Sequence, residues 1–154
     1  MCQQRLTGSW TYAGVVDPQW QGTPYGPAGK FSGKFTARFV LDGFFVLENA
    51  EETYAAGGAA TEINLFEYDP KTKTYRGHAF WSNGSTYDTV YTLDEQRMTA
   101  SMTQITKEGE KAMVKAVWDY NSGLDAFKSV WELSVDGGKT WKYLATYDGK
   151  KQKD

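Results

Sequence analysis

The feature that most constrains this chain is the regular return of turn-forming residues between short alternating runs. Asp42-Gly43, Gly57-Gly58, Asp69-Pro70-Lys71-Thr72, Asn83-Gly84, Asp94-Glu95 and Glu108-Gly109-Glu110 punctuate the sequence. Such residues supply a positive or pre-set φ where a backbone reverses, so each cluster marks a hairpin link. The segments between them are rich in β-branched and aromatic residues and read with period two. The spacing predicts strands over 6–14, 31–41, 44–54, 61–68, 74–82, 85–93, 97–106, 112–120, 127–135 and 140–147. The stretch 15–30 breaks the pattern with Pro18, Pro24, Pro27, Gly22, Gly26 and Gly29, and reads as a long loop covering one end of the fold. No strand–helix alternation supports a parallel sheet. The expected fold class is therefore all-β, a single antiparallel barrel of about ten strands spanning residues 1–154. Alternation alone does not separate a closed barrel from two packed sheets.

Composition narrows the classes of function. The chain has 154 residues, enough for one domain with its own core. Its 17 Lys and Arg nearly balance 19 Asp and Glu, which gives no footprint for nucleic acid. No apolar run is long enough for a transmembrane helix. Cys2 is the single cysteine, so no intrachain disulfide forms. That favours the cytoplasm, or export if a leader was removed just before Cys2. The Lys-rich stretch 150–153 reads as a solvated terminus. Asn83-Gly84-Ser85 matches a glycosylation acceptor, but Asn83-Gly84 reads first as a tight turn.

Leu6-Thr7-Gly8-Ser9-Trp10, Leu41-Asp42-Gly43 and the run from Phe66 to Tyr75 resemble the bacterial DUF1579 proteins over most of the chain. Those proteins are similar to calycins, the lipocalin and fatty-acid-binding-protein group. The resemblance implies a barrel with an internal site for an apolar or amphipathic ligand, and it carries no catalytic residues over. The haem-binding nitrobindins share the Gly-x-Trp opening seen at Gly8-Ser9-Trp10, but use a late histidine as iron ligand. His78, the only histidine, sits mid-chain, so no haem or other cofactor is expected. A second, local resemblance is to the Asp-box hairpins of sialidases and other propellers, matched by Ser134-Val135-Asp136-Gly137-Gly138-Lys139-Thr140-Trp141. One copy reads as a well-specified hairpin, with Asp136 accepting backbone donors and Trp141 packing the turn.

No catalytic motif, phosphate loop or dinucleotide fingerprint is present. One His and one Cys rule out the usual structural zinc site, and no metal is expected. His78 is the natural acid–base candidate, since its reference pKa lies near 6.5. Period two places Arg76, His78 and Phe80 on one face of their strand and Tyr75, Ala79 and Trp81 on the other. If the first face points inward, His78 and Arg76 are polar anchors or catalytic groups. Arg38 and Glu132 pose the same question, against the ordinary reading that strand charges coat the exterior. Trp10, Phe39, Phe45, Phe66, Trp81, Tyr91, Trp118 and Trp131 are candidates for the pocket wall or for a packed core, and Pro18, Trp20 and Tyr25 for a loop over its mouth.

Three functions follow. The first is binding of a small apolar, amphipathic or aromatic molecule through Trp20, Tyr25, Arg38, Arg76, His78, Trp81, Tyr91, Trp118 and Glu132. The second is a cofactor-independent acid–base enzyme of isomerase, cyclase or hydratase type, with His78 and Arg76 as its catalytic groups. The third is a structural or interaction domain, a homodimer among its forms.

Overall fold

The computed structural model describes residues 7–153. Cys2 and Leu6 lie outside the described residues. The described residues form ten strands: β1 (Gly8–Val16), β2 (Gly29–Val40), β3 (Phe45–Tyr54), β4 (Ala59–Asp69), β5 (Thr74–Trp81), β6 (Thr86–Leu93), β7 (Arg97–Ile105), β8 (Lys111–Tyr120), β9 (Ala126–Ser134) and β10 (Lys142–Lys151). Each strand pairs antiparallel with its sequence neighbour, and β1 pairs with β10 to close the barrel. Closure leaves no free sheet edge. Eight strands leave an interior that side chains just fill, and ten leave room for a cavity.

All ten expected strands are present, with ends displaced by a few residues. The largest difference is at the C-terminus. Residues 148–151 continue β10, with Trp10 opposite Lys151 and Tyr12 opposite Gly149. The Lys151 amide donates to Asp125 O and the Gln152 amide to Ser9 O, both at 2.7 Å. The stretch expected to be a solvated tail thus seals the barrel seam, because its backbone supplies the last ladder bonds to β1.

The Asp-box segment forms the hairpin between β9 and β10. Asp136 Oδ1 accepts from the Ser134 hydroxyl at 2.7 Å and the Thr140 amide at 2.9 Å. The Thr140 hydroxyl donates to Asp136 Oδ2 at 2.5 Å. These bonds, that of the Thr140 hydroxyl foremost, hold the Asp136 carboxyl down at about 2. Trp141 Nε1 donates to Gly138 O at 3.1 Å, and Lys115 Nζ lies 3.7 Å from the Trp141 ring centroid.

The end of the barrel away from the 17–28 loop is plugged by aromatic rings. Trp10 stacks on Phe35 with centroids 5.8 Å apart, and Tyr120 and Phe127 pack beside it at 6.1 and 5.5 Å. Each such ring removes roughly 150–250 Å² from water, a contribution of several kcal/mol before entropy is counted. Gly149, opposite Phe127, makes this packing possible, since a Cβ there would stand 2.3 Å from the Phe127 ring. On the outer face of β4 and β5, Ile63, Leu65 and Phe80 are exposed, and Phe45 on β3 also faces outward beside them.

Candidate functional site

The interior wall made by β3 and β4 is acidic. Residues opposite each other in an antiparallel pair share a face, and Ala50, opposite Glu62, is 4% exposed and points inward. Glu48 and Glu52 stand two residues either side of Ala50 on that inward face. Glu62 is therefore the diagonal neighbour of both, and the small Ala50 leaves the space between them open. All three carboxylates line the barrel's interior cavity. Each keeps some accessible surface, but that surface faces the cavity.

Their hydrogen bonds are unequal. Glu52 is well served: Tyr12 donates to Oε1 at 2.9 Å and Tyr54 to Oε2 at 2.8 Å. Gly33 makes the first of these bonds possible. The Tyr12 ring lies over it, and a Cβ at that position would stand 2.4 Å from Cζ. Glu48 is hydrogen-bonded by the Asn64 side chain. No hydrogen bond reaches the Glu62 carboxylate among the described residues. Asn64, opposite Glu48 and 3% exposed, donates from Nδ2 to the Tyr91 hydroxyl at 3.2 Å, while its buried Oδ1 has no donor.

Burial without a counter-charge sets the proton affinities. It raises the Glu48 carboxyl to about 7, with the Asn64 hydrogen bond pulling the other way. Burial raises Glu52 against its two tyrosine hydrogen bonds. Glu62 is raised furthest, by burial first and then by the charges of Glu48 and Glu52. Isolating an ionised carboxylate from water costs several kcal/mol, so such a group takes up a proton or a positively charged partner. Burial and the nearby carboxylates also hold the Tyr12, Tyr54, Tyr87 and Tyr91 hydroxyls in their neutral form.

The cavity has a volume of about 230 Å³. Its opposite wall is aromatic: Trp118 Nε1 donates to the Tyr147 hydroxyl at 3.3 Å, and Trp131 lies edge-on to Trp118 with centroids 5.2 Å apart. No Lys, Arg or His lines it among the described residues. The 17–28 loop crosses the mouth, with Pro24, Tyr25 and Pro27 against the cavity. Asp17 caps the short 3-10 turn Pro18–Trp20, and Trp20 Nε1 donates to Tyr143 O at 2.8 Å, which ties the loop to β10.

The expected site residues divide. Tyr25, Trp81, Tyr91 and Trp118 line the cavity. Trp20 is buried beneath the loop as its anchor, edge-on to Tyr25 at 5.8 Å, and is not part of the cavity wall. The inward placement of Arg38, Arg76, His78 and Glu132 is corrected: all four are exposed on the outer face. Arg76 Nη2 pairs with Asp69 at 3.1 Å, and His78 Nδ1 pairs with Asp88 and packs against Phe80. The reason is parity. Tyr75, Ala79 and Trp81 are the apolar set that β5 buries, and their alternate residues take the solvent side. Glu132 goes outward because its neighbours Trp131 and Leu133 face in.

Glu48, Glu52, Glu62 and Asn64 were not among the sequence candidates. Their signal was misleading, because on β3 and β4 the alternate face carries Phe45, Leu47, Ile63 and Leu65 and looks like the buried one. Only the shared face of Glu48, Ala50, Glu52 and Tyr54, paired with that of Glu62, Asn64 and Phe66, points to the wall that forms.

Comparison with known proteins agrees with the fold. The crystal structure of Rv2717c from M. tuberculosis superposes with a TM-score of 0.67 at 11% identity, covering 99% of this chain and 96% of that one. The structure of EF1p2_mFAP2b bound to DFHBI gives a TM-score of 0.52 at 11% identity, over 97% and 96% of the two chains. At such identities the likeness is one of fold. No curated protein matches the chain. The model of the family described as "Protein of unknown function (DUF1579)" matches residues 2–153, and the chain belongs to that family.

Proposed function

We propose that this protein binds one small molecule inside the barrel, entering beneath the 17–28 loop. The observation that carries the reading is the cavity of about 230 Å³, in which Glu48, Glu52, Glu62 and Asn64 converge from one wall on a space bounded by aromatic rings. Apolar walls with a few placed polar groups are the usual form of a ligand site. The aromatic side suits the apolar or aromatic ligand body that the barrel leads one to expect. The calycin-like shape supports the same reading. Native mass spectrometry of freshly purified protein, set against its denatured mass, tests it. The expected result is a reproducible excess mass lost on denaturation. Bare protein that also takes up no small molecule from a fragment mixture contradicts the reading.

A second reading is an acid–base enzyme in the same cavity, with Glu48 in the role first given to His78. One observation favours it: burial raises the Glu48 carboxyl to about 7, where a carboxyl both gives and takes protons near neutral pH. Its test is turnover of whatever compound is recovered with the protein, which Glu48→Gln abolishes and His78→Ala leaves unchanged.

A further inference from the structure

We infer that the ligand of this cavity is an organic cation, a compound whose protonated nitrogen sits among Glu48, Glu52 and Glu62 while its apolar body lies against the aromatic wall. The inference rests on the cavity being a binding site and adds the chemical class of what it holds.

The cavity's ionisable carboxyls are left without a counter-charge among the described residues. Glu48 and Glu52 flank Ala50 on one strand, and Glu62 faces Ala50 from the next, so Glu62 stands diagonal to both. No basic side chain lines the cavity among the described residues, so the positive charge has to come from elsewhere. Asn64 supplies independent support. It is 3% exposed, its Nδ2 is engaged by Tyr91, and its Oδ1 is buried with no donor. Gly77 packs closely beside this oxygen, where a Cβ would stand 3.0 Å from Oδ1 and 3.2 Å from the Tyr91 ring. An acceptor left without a donor in a protein interior costs about 1–3 kcal/mol, a cost that a ligand N–H removes. The carboxylates call for positive charge and the amide oxygen for a hydrogen-bond donor, and a protonated nitrogen supplies both.

The surrounding rings fit the same chemistry. Trp81 lies opposite Glu62 across β4 and β5, and Tyr87 packs against Trp81 with centroids 6.4 Å apart. The negative faces of such rings attract ammonium and amidinium groups, most strongly away from water. A bare metal ion fits poorly, because among the described residues no three or more His, Cys, Asp or Glu stand close enough to hold one. The cavity of about 230 Å³ corresponds to roughly eight waters' share of liquid volume, room for a single ring bearing an amine.

The test is a titration of the whole protein with benzylamine, benzyl alcohol and benzoate, three probes of similar size that differ in charge, followed by calorimetry. Benzylamine is expected to bind about tenfold or more tightly than benzyl alcohol, and benzoate not to saturate. Glu62→Gln is expected to weaken benzylamine by about tenfold, leave benzyl alcohol unchanged and raise the melting temperature at alkaline pH, where the amide keeps the shape and removes the repelling charge. Glu51→Gln, on the outer face where Glu51 pairs with Lys34, serves as the control and leaves all three affinities unchanged. Equal or tighter binding of benzyl alcohol or benzoate, or full benzylamine affinity in Glu62→Gln, overturns the cation and leaves the cavity reading standing. Failure of all three probes to bind overturns both.

Discussion

Gly33 and Tyr12 act as one device at the scale of single residues. A Cβ at position 33 would meet the Tyr12 ring at 2.4 Å and Glu51 O at 2.7 Å. Gly33→Ala therefore displaces the hydroxyl that serves Glu52, and is expected to cost about 1–3 kcal/mol of stability by crowding. Tyr12→Phe removes the same hydrogen bond by another route, also at a cost of about 1–3 kcal/mol. Because the two changes break one interaction, the double variant should lose less than the sum, which urea denaturation of the four proteins measures. At this scale the sequence was only partly legible. Trp81, Tyr91 and Trp118 line the cavity, but so large a ring is no guide by itself, since Phe39 on β2 and Phe80 on β5 are exposed. The sequence left the facing of His78 and Arg76 open, because a chemically attractive residue type says nothing about which side of a strand it occupies.

Strands and turns were the most legible elements, and the reason is local. Asp42-Gly43 turns the chain through three residues of positive φ, at 50° for Leu41, 57° for Asp42 and 86° for Gly43, so the turn residues themselves set the reversal. Asn83 and Gly84 do likewise, with the Ser85 amide donating to Asn83 Oδ1 at 2.9 Å and Gly84 at φ 87°. What local chemistry does not encode is which face of β3 and β4 turns inward, a choice made by the closed sheet as a whole. Closure was equally hidden, because the β1–β10 pairing joins residues that lie 129 to 141 positions apart. That seam yields a prediction. Deleting residues 149–154 removes the pairs Gly149–Tyr12, Lys150–Thr11 and Lys151–Trp10, together with the floor packing of Phe127 over Gly149. A marked fall in melting temperature is expected by circular dichroism, with slow-exchanging β1 amides lost first. A dispensable tail would leave both unchanged.

At the scale of the molecule, acidic groups line the cavity and no cationic side chain among the described residues does, and this governs the response to pH. Glu48, Glu52 and Glu62 face one another, Asn64 and the neutral hydroxyls of Tyr12, Tyr54, Tyr87, Tyr91 and Tyr147, with no Lys, Arg or His lining the same space among the described residues. In the unfolded chain a glutamate titrates near the usual value of about 4.3. In the folded chain burial raises all three, Glu48 to about 7. Between those values the folded state binds more protons than the unfolded one, so stability falls as pH rises through that window. Asp136, held at about 2, acts in the opposite sense, contributing stability that is lost only as strong acid protonates it. Unliganded protein is thus expected to melt highest near a pH of about 5 and markedly lower at about 8, by an amount on the order of a few kcal/mol. A saturating organic cation should restore stability at the higher pH, where the carboxylates are ionised. The most direct measurement is a carbon-13 titration of the glutamate side-chain carboxyls with and without benzylamine. Glu48, Glu52 and Glu62 are expected to titrate above the other glutamates, with benzylamine shifting those three alone and lowering their midpoints. Glutamates that all titrate together in the usual carboxylate range, indifferent to the amine, would contradict this.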